Sequence, residues 1–462
     1  MPRLLYSLTI ALWLAWSAPT WWARSMFMDG LWYATLARNL AVGIGTPFAP
    51  QLTETLGQSF TAHPPLMVWL ESLLFGGLGD HWWVERLFSG GLIVLAGGLL
   101  WGSWRQLRPD DGAQTGWLPL LLWVSMPLLP WATGAHMLEN LLLVCFGGLL
   151  YAWLRFAHGH GWSWLLLAGV AFGAAIWTKG PAALFMGSLP FWAGLTVPAV
   201  GWRRGLRDSL GLTGIAAALT GLLLLWPPAW TFAQGYWDTL LRGTLAVAVV
   251  SSRWYILGKW LMELLPPLLL SGGLAWALRR YLRPLPGRGW PLAFLLTGLS
   301  GVLPYLLVLK QRGFYLLPAL PCFALALALL LAPAWWAWYQ RQDWSPRWQR
   351  GFRLAAMGLG AVALAVLLAS VGRVGKHADR LALAEQLARR LPAGTVIGTC
   401  AAQWQDWSLH GYLYRQGYLS LSRREEAGEW WLQGPLCSPG TGEPTLTVGP
   451  FALWPEAPTR AK

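Results

Sequence analysis

Long uninterrupted apolar runs, rather than alternation, dominate the pattern of hydrophobic and polar positions along the chain. Eleven stretches without Asp, Glu, Lys or Arg recur at about 4–22, 87–104, 117–133, 140–154, 162–178, 181–200, 209–229, 264–278 (helical from near 256), 290–309, 314–338 and 354–371. A membrane-crossing helix needs roughly 20 predominantly apolar residues, so these runs predict about 11 transmembrane helices. Arg3 followed by an apolar run resembles a signal peptide, but Ser17-Ala18-Pro19 is a poor cleavage site. The run is read as an uncleaved first helix.

Two regions break the pattern. Between about 23 and 86 a long loop carries Trp32, Tyr33, Leu36 and Leu40 at helical spacing, which predicts a short amphipathic interfacial helix. His63-Pro64-Pro65-Leu66 then interrupts the chain before Met67–Leu78, an apolar segment too short to span. From 373 to 462 charges become dense and mixed. A helix near 376–390, a strand over 395–399, a helix near 405–415 and a strand around 446–449 predict a small α/β domain. The expected division is thus a membrane domain at 1–372 and a small C-terminal domain at 373–462.

Composition supports this reading: 55% of the 462 residues are hydrophobic, 12% are charged and 36 are Trp. A soluble chain carries about 25% charged residues. Aromatic side chains of this abundance suit a membrane-interface belt. The net charge of +14 raises a nucleic-acid reading, which needs basic residues gathered on one soluble face. They are instead scattered between apolar runs, so nucleic acid is excluded as a partner. With the N-terminus placed inside, the inner loops sum to +11, the outer loops to +1 and the tail to +2. The positive-inside rule therefore favours a cytoplasmic N-terminus and an outer tail.

Candidate chemistry collects on the outer side in this topology. Asp29 and His63 lie in the first loop, Glu139 starts the fourth run, Lys179 ends the fifth, Arg253 precedes the eighth, and Lys310 and Arg312 follow the ninth. Single polar residues at such depths have ordinary readings, as a helix-terminal acid or a snorkelling lysine. Their common address is harder to explain without function. His136 and Glu139 have no third ligand, no metal-binding residues are assigned, and a divalent metal stays open as a cofactor. Cys145 and Cys322 fall in spans. Cys400 and Cys437 both fall in the tail, where a disulfide and two free thiols are equally open.

The order of motifs resembles that of the GT-C glycosyltransferases, in the branch that includes protein O-mannosyltransferases and the bacterial transferase adding aminoarabinose to lipid A. The residues that carry the resemblance begin with Met28-Asp29-Gly30-Leu31-Trp32-Tyr33 and Arg38-Asn39. His63-Pro64-Pro65-Leu66 with Trp69, Gly79, Glu85-Arg86 and Lys179-Gly180-Pro181 follow. Lys310 and Tyr315-Leu316-Leu317-Pro318 close the series. The resemblance covers roughly 1–372.

It implies a polytopic enzyme of the bacterial inner membrane that moves a sugar from a polyprenyl (undecaprenyl) phosphate to a lipid, glycan or protein acceptor at the outer face. Asp29 matches the family's catalytic acid. His63, Tyr33, Glu139 and Arg86 would belong to the substrate pocket, and Lys179, Lys310, Arg312, Arg253 and Tyr315 to the donor phosphate. The chain has Gly30 where the family usually has a second acid, and His63 where the aminoarabinose transferase has a lysine, so that enzyme's substrate is not carried over. One carboxylate acting as base favours single displacement with inversion. Two rival readings are a transporter or flippase of a lipid-linked or charged substrate, and a non-catalytic scaffold of the same fold. The transporter should show polar residues near mid-span and related halves, and neither is visible in the sequence.

Overall fold

In the computed structural model the residues described are 2–245, 247–282, 289–342, 345–423, 430–437 and 443–455. Arg283, Arg288 and Asp343, counted above among the inner charges, lie outside them. Contacts divide the chain into two units. The first holds Met1–Trp21, Ala62–Leu66 and Leu87–Ser370; the second holds Trp22–Thr61, Met67–Arg86 and Val371–Lys462.

The first unit is built from apolar helices: α1 (Pro2–Trp21), α4 (Val84–Leu107, whose first three residues belong to the other unit), α5 (Gly112–Thr115), α6 (Trp117–Val124), α7 (Leu128–Ala135), α8 (Leu138–Ala157), α9 (Gly161–Lys179), α10 (Leu189–Thr196), α11 (Trp202–Leu224), α12 (Pro227–Leu245), α13 (Tyr255–Ala277), α14 (Gly289–Val302), α15 (Leu320–Gln340) and α16 (Pro346–Ser370). Among the described residues seven helices are long and apolar enough to cross a membrane, and nine if each of two bent pairs is one span. The bends, 75° between Gly112–Val124 and Leu128–Ala135 and 112° between Trp202–Leu224 and Pro227–Gly243, fall where Pro127 and Pro227-Pro228 cannot continue a helical ladder.

The eleven apolar runs differ from this set in two places. The runs at 162–178 and 181–200 fall within one continuous helical stretch, Gly161–Thr196, and α1, diluted by Trp, Ser and Thr, is not among the seven. Glycines let helices of this unit approach closely. A Cβ on Gly194 would lie 2.8 Å from the Gly205 Cα, so α10 and α11 meet nearly backbone to backbone. Buried polar groups are satisfied between helices: the Asn140 amide donates to Ser89 Oγ and to the Ala132 carbonyl, each at 2.9 Å. This ties α4, α7 and α8 together at the end where α8 begins.

The second unit has helices α2 (Met28–Ala41), α3 (Leu66–Leu78, whose first residue belongs to the other unit), α17 (Ala378–Ala388), α18 (Ala401–Trp404) and α19 (Trp407–Gly417). A short ribbon pairs β1 (Gly45–Thr46) with β2 (Ala49–Pro50). A sheet follows with strands β3 (Val396–Thr399), β4 (Ser420–Ser422), β5 (Trp431–Gln433), β6 (Leu446–Val448) and β7 (Phe451–Trp454), in the order β4-β3-β5-β7-β6. β3 runs parallel to β4 and β5, with Ile397 opposite Leu421 and Thr399 opposite Leu432; β7 is antiparallel to β5 and β6.

The amphipathic pattern of α2 is used on two sides. Leu31 joins Met26 in one core with Leu381, Leu409, Ile397 and Leu432, while Leu36 and Ala37 join Leu52, Val68 and Phe75 in another. The first loop therefore shares a core with the tail, which a linear reading of the chain cannot show. Cys400 and Cys437 are joined by a disulfide, tying the end of β3 to the segment after β5.

Candidate active site

Three tight 3-10 helices interrupt the long apolar stretches of the first unit: Gly180–Ser188, Leu303–Leu307 and Gly313–Ala319. Each contains a proline, Pro181, Pro304 or Pro318, which removes an N–H donor and favours a locally altered helix. They converge on one cavity of about 530 Å³, with Pro181, Ala182, Leu184 and Phe185 from the first, Pro304 and Tyr305 from the second and Tyr315 from the third. His63, Lys179 and Lys310 complete its charged or titratable lining, and Tyr236, Thr239 and Leu240 supply the face from α12.

Lys179, the last residue of α9, donates to the carboxylate of Glu139, which sits fully buried in the first turn of α8. Its ammonium also lies 4.8 Å from the Tyr315 ring centroid and 5.4 Å from that of Phe314, within cation–π range. Lys310 comes from the link between the second and third 3-10 helices. A Cβ on Gly243 of α12 would stand 2.9 Å from the Lys310 Nζ, so the bare glycine leaves room for that ammonium. His63 is only partly exposed, and burial together with the nearby Lys179 and Lys310 charges pushes its imidazole down to about 3. At neutral pH it is an uncharged hydrogen-bonding group beside two lysines.

The cavity is therefore cationic on one side and apolar on the other. Its wall residues Pro181, Leu184 and Tyr236 also line an apolar groove of about 270 Å³ that runs past Ile176, Trp177, Leu224 and Phe232. A second apolar groove of about 430 Å³, lined by Tyr6, Ile10, Trp13, Ile93 and Trp101 among others, contains no charged side chain.

Of the residues singled out in the sequence, His63, Lys179, Lys310 and Tyr315 line the cavity, and Glu139 lies behind it through its pair with Lys179. Arg253 and Arg312 have exposed side chains and are not in the lining. Asp29, Tyr33 and Arg86 belong to the second unit. Asp29 is half-buried in the first turn of α2, where the helix dipole favours a carboxylate. Tyr33 is buried in the next turn, and the Arg86 guanidinium donates to the Ser25 carbonyl at 2.9 Å.

Sequence reading missed Tyr236, Ser300 and Tyr305, which also line the cavity. For Tyr305 the signal was Pro304, which ends α14 inside what reads as one apolar run. Among the described residues no group of three or more His, Cys, Asp or Glu gathers that could hold a metal ion.

Residues 62–230 match the family described as dolichyl-phosphate-mannose-protein mannosyltransferase. That segment contains His63, Glu139 and Lys179. No curated protein sequence matches the chain. Among solved structures, ArnT from Cupriavidus metallidurans bound to undecaprenyl phosphate superposes with a TM-score of 0.68 at 14% identity, over 99% of both chains. The apo state of that protein gives 0.68 at 15% identity over 98% of both. An oligosaccharyltransferase from Archaeoglobus fulgidus reaches 0.48 at 15% identity, over 91% of this chain and 63% of that one. The ArnT likeness extends over nearly every residue and shows a shared fold.

Proposed function

We propose that the chain is a membrane glycosyltransferase of the GT-C type, a reading supported by the match of residues 62–230 to the dolichyl-phosphate-mannose-protein mannosyltransferase family and by the fold it shares with ArnT, and that it moves a sugar from a polyprenyl phosphate to an acceptor at the outer face of a bacterial inner membrane. The observation that carries this reading is the cavity itself. Two ammonium groups and a neutral imidazole stand at one side of it, and the apolar groove it shares Pro181, Leu184 and Tyr236 with leads away between membrane helices. A phosphate with a long hydrocarbon tail combines those two demands.

The donor is a phosphodiester with one negative charge. As the acceptor oxygen attacks the anomeric carbon, the bond from that carbon to the phosphate oxygen breaks and a polyprenyl phosphate with a second negative charge departs. Lys310 and Lys179 act on that developing charge, which is where preorganised cations contribute most. The Lys179 charge is already shared with Glu139, so Lys310 carries the larger part. His63 contributes an N–H donor without adding charge. Asp29, the counterpart of the family's acid, takes the acceptor proton, and one such carboxylate gives inversion. The excess of basic residues in the loops assigned as inner supports an N-terminus in the cytoplasm and a tail outside.

The test uses the purified full chain in lipid nanodiscs with a polyprenyl-phosphate sugar. Asp29→Asn should abolish transfer while leaving polyprenyl phosphate binding intact, and Lys310→Met should weaken that binding. Transfer unchanged in Asp29→Asn would overturn the base assignment. Binding unchanged in Lys310→Met would overturn the donor assignment. Mass spectrometry of envelope lipids and glycoproteins with and without the chain identifies sugar and acceptor.

A further inference from the structure

Gln311 is fully buried immediately after Lys310, and its side chain is saturated by four backbone groups. The two N–H groups of its amide nitrogen are shared among the carbonyls of Arg253 at 2.9 Å, Tyr305 at 2.8 Å and Val308 at 2.9 Å. Its amide oxygen accepts from the N–H of Ile256 at 2.9 Å. An amide does both, whereas a carboxylate offers no donor to the carbonyls and a thioether offers no donor and only a weak acceptor. The residue on the other side of Lys310 is fixed as well: the Leu309 carbonyl accepts from the N–H groups of Val249 and Val250, at 3.1 and 3.2 Å.

Lys310 thus projects from a link clamped at both neighbours. That link is short and irregular, and neither flanking 3-10 helix provides a ladder that would hold it. A lysine has four side-chain rotors and a compact charge, so its effect on a phosphate depends on where its backbone is held. We propose that Gln311 is a positioning residue for the donor phosphate, acting through Lys310 by fixing the 308–312 link against the start of α13. The inference rests on the donor reading given above.

A double-mutant cycle on the purified full chain in nanodiscs tests it, with undecaprenyl phosphate and the uncharged undecaprenol as probes. Gln311→Met should weaken undecaprenyl phosphate binding by roughly tenfold, a factor that corresponds to about 1.4 kcal/mol, and should leave undecaprenol binding within about twofold. In the Lys310→Met background the same change should add almost nothing, because a residue acting through Lys310 has nothing left to act on. Gln311→Asn, which keeps both donor and acceptor on a shorter arm, should recover part of the loss and provides the cycle if Gln311→Met does not fold. Full additivity of the two changes, or an equal loss of undecaprenol binding, would overturn the proposal. Undecaprenyl phosphate binding unchanged by Lys310→Met alone would instead overturn the donor reading, and the inference with it.

Discussion

Lys179 and Glu139 form an ion pair whose side chains are 9% and 1% exposed, joining the end of α9 to the first turn of α8. A charge at that depth is expensive unless matched, and removing one member of a buried pair leaves the other uncompensated at a cost of about 3–5 kcal/mol. Glu139→Gln and Lys179→Met should each lower thermal stability in detergent strongly. The double variant should lose less than the sum of the two, because it leaves no lone charge. Two small and additive losses would mean that the pair is solvated.

The two lysines of the cavity were legible in the sequence because charged residues in so apolar a chain are conspicuous. The helix at Trp32, Tyr33, Leu36 and Leu40 and the elements near 376–390, 395–399, 405–415 and 446–449 were legible from periodicity, and structure places helices or strands at each. Strands β4, β5 and β7 span three or four residues, too short for alternation to show. Gln311 could not be found because a buried glutamine is recognised only by the backbone groups around it, and part of those come from the distant stretch at Arg253 and Ile256. The runs at 290–309 and 314–338 read as unbroken helices, since hydropathy does not distinguish an α-helix from the tighter turns that Pro304 and Pro318 accompany.

His63 gives the first unit a pH dependence with a definite sign. Its imidazole is held down to about 3 in the folded chain, against an unfolded value near 6.5. Between those values the unfolded chain binds the extra proton, so stability from this group is complete above about pH 6.5 and is lost as the pH falls toward 3. The apparent Tm of the wild type should therefore decline from pH 7 to pH 5, and His63→Gln should flatten part of that decline. An unchanged slope in His63→Gln would show that other groups govern it. Bound undecaprenyl phosphate should also reduce the slope, because its negative charge offsets the two lysines.

Gly180 couples cavity shape to backbone conformation. It follows Lys179 with φ +58° and ψ −131°, a region open essentially to glycine alone. A Cβ there would lie 2.1 Å from the Tyr236 hydroxyl oxygen. Gly180→Ala should cost about 1–3 kcal/mol from backbone strain and more from the clash. Adding Tyr236→Phe removes the offending oxygen without relieving the strain, so the double variant should regain only part of the lost Tm. Complete rescue would mean that the clash alone was responsible, and no rescue would mean that strain was.

In the second unit Asp80 holds two guanidinium groups at once. Arg38, 1% exposed, reaches its Oδ2 at 3.1 Å, and Arg415 reaches its Oδ1 at 2.5 Å. Arg415 has a second carboxylate in Glu85 at 3.3 Å, and Arg38 also donates to the Tyr414 carbonyl at 2.8 Å. Asp80 is the carboxylate paired with Arg38 among the described residues, so Asp80→Asn leaves a buried guanidinium facing another cation. The expected loss is about 3 kcal/mol or more. Glu54→Gln is the contrast within the same unit. There the Tyr414 hydroxyl donates to Glu54 at 3.0 Å, and burial, followed by that hydrogen bond, pushes the phenol up to about 12, so it stays a neutral donor that an amide oxygen can still satisfy. Its loss should stay near 1 kcal/mol. Hydrogen exchange in α2 and α19 reads both variants locally: faster exchange for Asp80→Asn with little change for Glu54→Gln is expected, and equal effects would show that Asp80 is only a solvated surface charge.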